Sequence, residues 1–308
     1  MEHLPVLCTE ALEQLAIKKD GIYLDCTFGR GGHSQAILGQ LGPEGQLVAL
    51  DRDIDAINSE NAQALLKDER FTLIHERFSG LENLLQKKGL SGKVDGILID
   101  LGVSSPQLDN VHRGFSFLRD GPLDMRMDVT AGISAEQWLA NVDEKELVNV
   151  LFDFGEERFA RRIAKAIVET RVATPLRSTK QLAELIDDAV PVKDKYKHAA
   201  TRTFQAIRIE INKELNELKE VLEQSTRLLG HRGRLVVISF HSLEDRIVKR
   251  FIRNEAGAKY NPGKLPIKEA DITKGVFIKI GKPIKAGAQE TAKNPRARSA
   301  IMRIAERV

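Results

Sequence analysis

The chain has 308 residues, 42% of them hydrophobic and 30% charged, with a net charge of +3. Those values fit a folded chain of one large or two ordinary domains and exclude a disordered polymer. No apolar run approaches the roughly 20 residues of a membrane span, and the start Met1-Glu2-His3-Leu4-Pro5 lacks the order of a signal peptide. Two cysteines, Cys8 and Cys26, form neither a disulfide framework nor a metal-ligand spacing and read as reduced thiols in or near the core. The expected setting is the cytoplasm, without membrane and without metal. The mild positive charge permits a nucleic-acid partner without demanding one.

Residues 5–16 read as a short amphipathic helix leading to a strand. The stretch Ile22-Tyr23-Leu24-Asp25-Cys26-Thr27-Phe28-Gly29-Arg30-Gly31-Gly32-His33 then passes from an apolar run into a glycine cluster, and a helix pattern follows to Leu41. Strand, glycine turn and helix let backbone approach a nucleotide-like ligand. The spacing is G-x-G-G rather than G-x-G-x-x-G. Asp51 ends the next apolar run, Leu47–Leu50, and lies 22 residues after Gly29, near the roughly 20 expected of a ribose-binding carboxylate. Asp25, just before the turn, suits a ligand with a positive group, such as the amino group of S-adenosylmethionine. Together these favour a methyl donor over a dinucleotide.

Alternation continues: a helix over Ile54–Leu66, a strand at Phe71–His75, a helix to Lys88 with Ser79 as its cap, and a strand at Val94–Asp100. A parallel sheet with helices on both sides is implied. From Leu101 to about Gly230 the pattern is helical, in Ala135–Leu139, Glu144–Phe152, Glu156–Thr170, Ser178–Ala189 and a long run from about Ala199 to Leu229. So much chain without sheet is too long for a loop. Residues 108–210 are expected to be an inserted helical domain, between segments 1–107 and 211–308 that carry the sheet. The sheet resumes at Arg234–Phe240, a helix follows at Leu243–Asn254, and Val276–Ile280 and Ser299–Ile304 are expected to close the sheet as an antiparallel pair. Gly257–Thr273 and Gly281–Arg298 read as loops.

Ligands of open parallel sheets bind beyond the carboxyl ends of the strands, where strand order reverses. Asp100 and Gln107, in Asp100-Leu101-Gly102-Val103-Ser104-Ser105-Pro106-Gln107, are therefore expected to face the ligand. His241, at the end of the fifth strand, shares that edge. Arg113-Gly114-Phe115-Ser116-Phe117 and Asp124-Met125-Arg126 mix aromatics and arginines in a way that suits stacked bases and paired phosphates. Arg202 and Arg208, in the Tyr196–Arg208 stretch with Lys197 and His198, and Arg296 and Arg298 in the tail add cations.

Several segments together resemble one family, the bacterial MraW methyltransferases that act on small-subunit ribosomal RNA. They are Asp-Cys-Thr-Phe-Gly-Arg-Gly-Gly-His at 25–33, Asp-Leu-Gly-Val-Ser-Ser-Pro-Gln at 100–107, Arg-Gly-Phe-Ser-Phe at 113–117, Gly-Pro-Leu-Asp-Met-Arg-Met at 121–127, Gly-Glu-Glu-Arg at 155–158, Thr-Arg-Thr-Phe-Gln-Ala at 201–206, Ser-Phe-His-Ser-Leu-Glu-Asp-Arg at 239–246 and Asn-Pro-Arg-Ala-Arg-Ser at 294–299. The resemblance covers nearly the whole chain and is weakest over about 257–292. It implies a Rossmann-like α/β methyltransferase fold with a seven-stranded, mostly parallel sheet and an all-helical insert. It also implies methyl transfer from S-adenosyl-L-methionine to N4 of a cytosine, nucleotide 1402, in the decoding region of 16S rRNA. Matching positions give Gly31, Gly32, His33, Asp51, Phe78, Asp100 and Gln107 as donor-binding residues. Asp100, Asp124 and His241 are the catalytic candidates, and Arg113, Phe115, Arg126, Arg202, Arg208, Arg296 and Arg298 the RNA-binding ones. The partner is the small ribosomal subunit; a homodimer is compatible with the sequence. The alternatives are an NAD-dependent oxidoreductase, which would want the missing G-x-G-x-x-G, and a non-catalytic RNA-binding protein.

Overall fold

Residues 5–192, 194, 198–257 and 275–308 are described by the computed structural model. Its elements, in chain order, begin with α1 (Cys8–Leu15), β1 (Ile22–Asp25), α2 (Gly32–Leu38), β2 (Gln46–Asp51), α3 (Ile54–Ile57), α4 (Glu60–Leu65), β3 (Phe71–His75), α5 (Leu81–Lys87), β4 (Val94–Asp100) and α6 (Ser105–Asp109). Helices α7 (Ala135–Asn141), α8 (Glu144–Gly155), α9 (Ala160–Ala173), α10 (Thr179–Ala189), α11 (Ala200–Asn212) and α12 (Glu214–Leu228) follow. The chain ends with β5 (Leu229–Ser239), α13 (Ser242–Glu255), β6 (Phe277–Lys285), α14 (Ala288–Lys293) and β7 (Ile301–Arg307). The chain separates into two units, one of residues 1–102 and 215–308, the other of residues 103–214.

The first unit holds one sheet in the order β3-β2-β1-β4-β5-β7-β6. All neighbours pair in parallel except β5–β7 and β6–β7, which are antiparallel. The middles of the central strands are runs of apolar residues because both faces are covered. Tyr23, Leu47, Ala49, Leu98 and Val236 pack on one face with Ala11, Leu15, Ile37 and Leu38 of α1 and α2. The alternate residues Leu24, Val48, Leu50, Ile97 and Val237 pack on the other with Leu85, Leu222 and Val248 of α5, α12 and α13. Each buried leucine or isoleucine contributes about 1.5–3 kcal/mol. Strand order reverses between β1 and β4, so their carboxyl ends border a crevice at the switch point.

The second unit is helical. Trp138, Leu147, Leu151, Ile163, Ile167, Leu182, Ile186, Phe204 and Ile207 form its core. Its ends lie at Val103 and Glu214, a few residues outside the expected 108–210. Ser104 and Gln107 form the capping box that starts α6. At the other end Asn212 accepts from the Met127 N–H at 2.7 Å and donates to the Met125 carbonyl at 2.7 Å.

Three expected helices change at polar or left-handed residues. The run from Ile54 breaks where Ser59 caps α4. The run from Ala199 breaks at Lys213, whose φ is +51°. Ser79 does not cap a helix: its backbone N–H and hydroxyl bond the Glu217 carboxylate at 3.1 and 3.3 Å, and α5 begins at Leu81. The stretch 281–298 is not all loop, since β6 continues to Lys285 and α14 follows. The loop expected at 257–273 falls almost wholly outside the described residues, as do Met1–Leu4, Tyr196 and Lys197.

Candidate active site

The switch point is built mainly from short segments that follow β1, β2, β3 and β4. After β1 the chain turns through Gly29 (φ +55°) and Gly31 (φ +76°). Gly31 has no alternative, because a Cβ there would lie 2.8 Å from the Phe28 ring and 3.0 Å from Leu65. At Gly29 the Cβ position meets nothing nearer than the Thr27 carbonyl at 3.9 Å, which leaves open space over the turn. Gly32 packs on Pro5, 3.0 Å from where a Cβ would stand.

Asp51, at the end of β2, anchors that turn. Its Oδ2 accepts from the Gly29 N–H at 2.7 Å and its Oδ1 from the Asp53 N–H at 2.8 Å. Burial pushes the carboxyl up to about 6, against the pull of those two N–H bonds. Each oxygen keeps a second lone pair for a further donor.

Asp25 works inside the fold. It is fully buried; Oδ1 accepts from Thr27 N–H at 3.0 Å and Oδ2 from the Ser34 hydroxyl at 2.6 Å. The expectation that it meets a ligand's positive group is therefore corrected. Burial raises its pKa, partly offset by His33 and the Ser34 bond.

His33 is 5% exposed, and its Nε2 lies 3.5 Å from Asp100 Oδ2, an ion-pair distance rather than a tight hydrogen bond. Burial alone would lower its pKa. Asp100, Cys8 and Asp25 outweigh that and push it up to about 10. Asp100, at the end of β4, is fixed a second time where its backbone N–H donates to Thr27 Oγ1 at 2.7 Å. Its Oδ1 is buried and has no hydrogen-bond partner among the described residues. Thr27 and Cys8 were missed in the sequence; Cys8 comes from α1, which no spacing ties to the turn. Phe78 sits half-buried in a 3-10 turn after β3. The arrangement offers a carboxylate for a diol, an open glycine turn and an unclaimed acceptor on one edge of one sheet.

The family model described as the MraW methylase family matches residues 1–308. The chain belongs to the MraW methylase family. A curated relative of this MraW methylase, the ribosomal RNA small subunit methyltransferase H of Methylococcus capsulatus, is 56% identical over 301 residues, covering 98% of this chain and 99% of the relative. The protein of the same name from Alteromonas mediterranea is 54% identical over 308 residues, covering 100% and 98%. Among solved structures, one titled as a putative rRNA-methylase from Clostridium thermocellum aligns over 100% of both chains with TM-score 0.46 and 12% identity. Membership in a methylase family leaves the oxidoreductase alternative without support.

The remaining expected site residues of this MraW methylase have other partners. His241 caps α13: Nδ1 accepts from the Glu244 N–H at 3.5 Å, and Nε2 lies 3.1 Å from Glu244 Oε1. In the helical unit, Gln107 is buried and its Oε1 accepts from Ser104 N–H at 2.9 Å. Asp124 holds Arg126 through Nε and Nη2, both at 2.8 Å. Burial raises the Asp124 pKa, but the Arg126 bonds outweigh that and hold it below the usual range. Asp124 and His241 thus each have a partner in the fold, while His241 Nε2 makes no hydrogen bond among the described residues.

Two expected RNA contacts are also corrected. Arg113 is 6% exposed and donates to the Arg126 and Met127 carbonyls at 3.1 and 2.9 Å, with its guanidinium 5.8 Å from the Phe115 ring centre. Phe115 itself lies in the helical core. Arg126 also donates to Val129 O, and Arg208 pairs bidentately with Glu214 at 2.8 and 2.9 Å. Arg202 is half-buried, and Arg296 and Arg298 are exposed on a 3-10 turn.

Proposed function

We propose that this methylase transfers a methyl group to the exocyclic N4 of a cytosine in 16S rRNA, nucleotide 1402 by the usual numbering, within the small ribosomal subunit. The methyl donor is S-adenosyl-L-methionine. The printed name of the curated relatives, ribosomal RNA small subunit methyltransferase H, supports the RNA class. The observation that carries the chemistry is Asp100 Oδ1, a buried acceptor without a partner among the described residues, on a carboxylate steadied by His33.

The residues fit the donor. The free lone pairs of Asp51 suit the ribose hydroxyls, the open side of Gly29 admits the nucleoside, and Phe78 offers a face to the adenine. When bound, the donor supplies an electrophilic sulfonium methyl whose leaving group is a neutral thioether.

The chain's task lies with the acceptor. The cytosine amine is a weak nucleophile because its lone pair is delocalised into the ring. Asp100 Oδ1 accepts one of its N–H bonds, pushes density onto nitrogen and takes the proton that the alkylated nitrogen must lose. Anchoring by Thr27 and His33 fixes the direction of that oxygen, so acceleration comes from positioning and from a ready negative charge. The base leaves any stack to reach the donor. Arg202, half-buried, and Arg298, exposed, are disposed to meet phosphate.

The test is transfer of radiolabelled methyl from S-adenosyl-L-methionine into small subunits from a strain lacking the enzyme, followed by mass mapping of the rRNA. One added methyl on that cytosine is expected; no incorporation into small-subunit RNA overturns the reading.

A further inference from the structure

A second concave site lies at the far edge of the sheet, three strands beyond β4. A cavity of about 310 Å³ opens between α13 and the β6–β7 hairpin. Ile252, Ile280, Pro283 and Ile304 give it an apolar floor, and Lys249, Arg253, Lys279, Lys282 and Arg303 supply its charge. Among the described residues its lining contains no acid. Asp245 neutralises Arg303 through two bonds, at 2.6 and 2.9 Å. The other four cations have no ion-pair partner among the described residues.

The site is built by two independent features. On α13, Lys249, Arg253 and Ala256 recur at spacings of four and three and so share one face. On β6, the register slips between Ile280, opposite Ile304, and Ile284, opposite Met302, so that three residues face Arg303 alone. Such a bulge bends the strand and re-aims its side chains. Gly281 takes the positive φ of +59° that the bulge needs, and Lys282 and Pro283 turn into the cavity. Lysines on an edge strand also deter strand pairing, which would account for Lys279. That argument does not reach Lys249 and Arg253, which converge on the same cavity from a helix.

We propose that this cavity is a second RNA-binding site, in which phosphates of a single-stranded segment meet Lys249, Arg253 and Lys282 while a base rests on Ile252, Ile280 and Pro283. A volume of this size is at the lower end of small-ligand sites, right for one nucleotide and too small for a duplex. The proposal rests on the RNA substrate class inferred above, and adds a docking point remote from the β1–β4 crevice.

The test uses the full chain and a fluorescein-labelled single-stranded RNA, read by anisotropy across a salt series without methyl donor. Lys249→Ala/Arg253→Ala/Lys282→Ala is expected to lower the slope of log K against log salt by about 2, since each phosphate contact in a single strand contributes roughly 0.7. Affinity at low salt is expected to fall about tenfold or more, while donor binding by calorimetry stays at the wild-type value. The variant with arginine at 249 and lysine at 253 is expected to keep the slope. An unchanged slope in the triple alanine variant overturns the site, even if the wild type methylates RNA. Competition by free cytidine monophosphate at micromolar concentration overturns RNA as the occupant, as does loss of binding to anionic lipid vesicles with RNA affinity intact. Failure of the wild type to methylate any RNA refutes the methylation reading, whatever the slope does.

Discussion

His33 Nε2 and Asp100 Oδ2 lie 3.5 Å apart where the sheet changes direction, one residue from the glycine turn and the other from the end of β4. The contact joins the glycine turn after β1 to the end of β4. It also leaves only one carboxylate oxygen, Oδ1, unclaimed.

Asp100→Asn preserves shape and removes the negative charge. Methyl transfer is expected to fall by at least about 100-fold in kcat, the usual scale for losing a proton acceptor. The melting temperature is expected to fall as well, because Asp100 is the main group that stabilises the buried His33 charge, so turnover is compared at a temperature where both proteins remain folded. Near-normal turnover would remove Asp100 from the acceptor role.

The charge on His33 makes stability depend on pH. Its folded pKa of about 10 lies above the ordinary value of 6.5, so the stabilisation is fully present below about pH 6.5 and is lost as pH rises toward 10. Urea unfolding between pH 6 and 10 is expected to show a decline in wild type that is flatter in His33→Gln. Parallel curves for the two proteins would contradict it.

Asp51 gives a different profile. Its pKa of about 6 in the folded chain, against an ordinary 3.8, means that protonation favours the fold at low pH while the charged form is the one that would accept donor hydroxyls in the proposed site. Donor affinity measured by calorimetry is expected to weaken as pH falls through about 6. Asp51→Asn is expected to bind weakly with no such midpoint.

The two glycines of the turn separate conformation from crowding. Gly31→Ala meets both a φ of +76° and the Phe28 ring at 2.8 Å, and is expected to cost more than about 2 kcal/mol and most donor binding. Gly29→Ala has the positive φ without the clash, and about 1 kcal/mol is expected. Thermal unfolding of both variants checks the order; equal effects would refute the assignment of Phe28 as the crowding group.

Arginines of the helical unit divide by burial. Arg113→Ala removes a buried donor to two carbonyls and is expected to cost about 2–4 kcal/mol of stability. Arg202→Ala is expected to leave the melting temperature within a degree or two and to reduce the salt slope of RNA binding by nearly one. The reverse pattern would exchange their roles.

The apolar strands, the glycine turn, Asp51 at its distance from that turn and Asp100 at a strand end were all legible from the sequence. They are set by local rules: periodicity tells which runs are strands, positive φ needs glycine, and parallel strands put their ligand edge at the carboxyl ends. What local rules cannot supply is which polar groups meet across the fold. Asp25, Arg113, Asp124 and His241 looked like chemistry in one dimension, but tertiary packing gave each a hydrogen-bond partner inside the fold. Cys8 beside His33, Thr27 under Asp100 and the β6 bulge facing α13 came from elements far apart in the chain or from a slip of register. The sequence by itself determined the α/β frame and its ligand edge, because backbone conformation follows from nearby residues. Only the tertiary structure decided which carboxylates and cations remain free, because that depends on burial and on partners brought in from elsewhere.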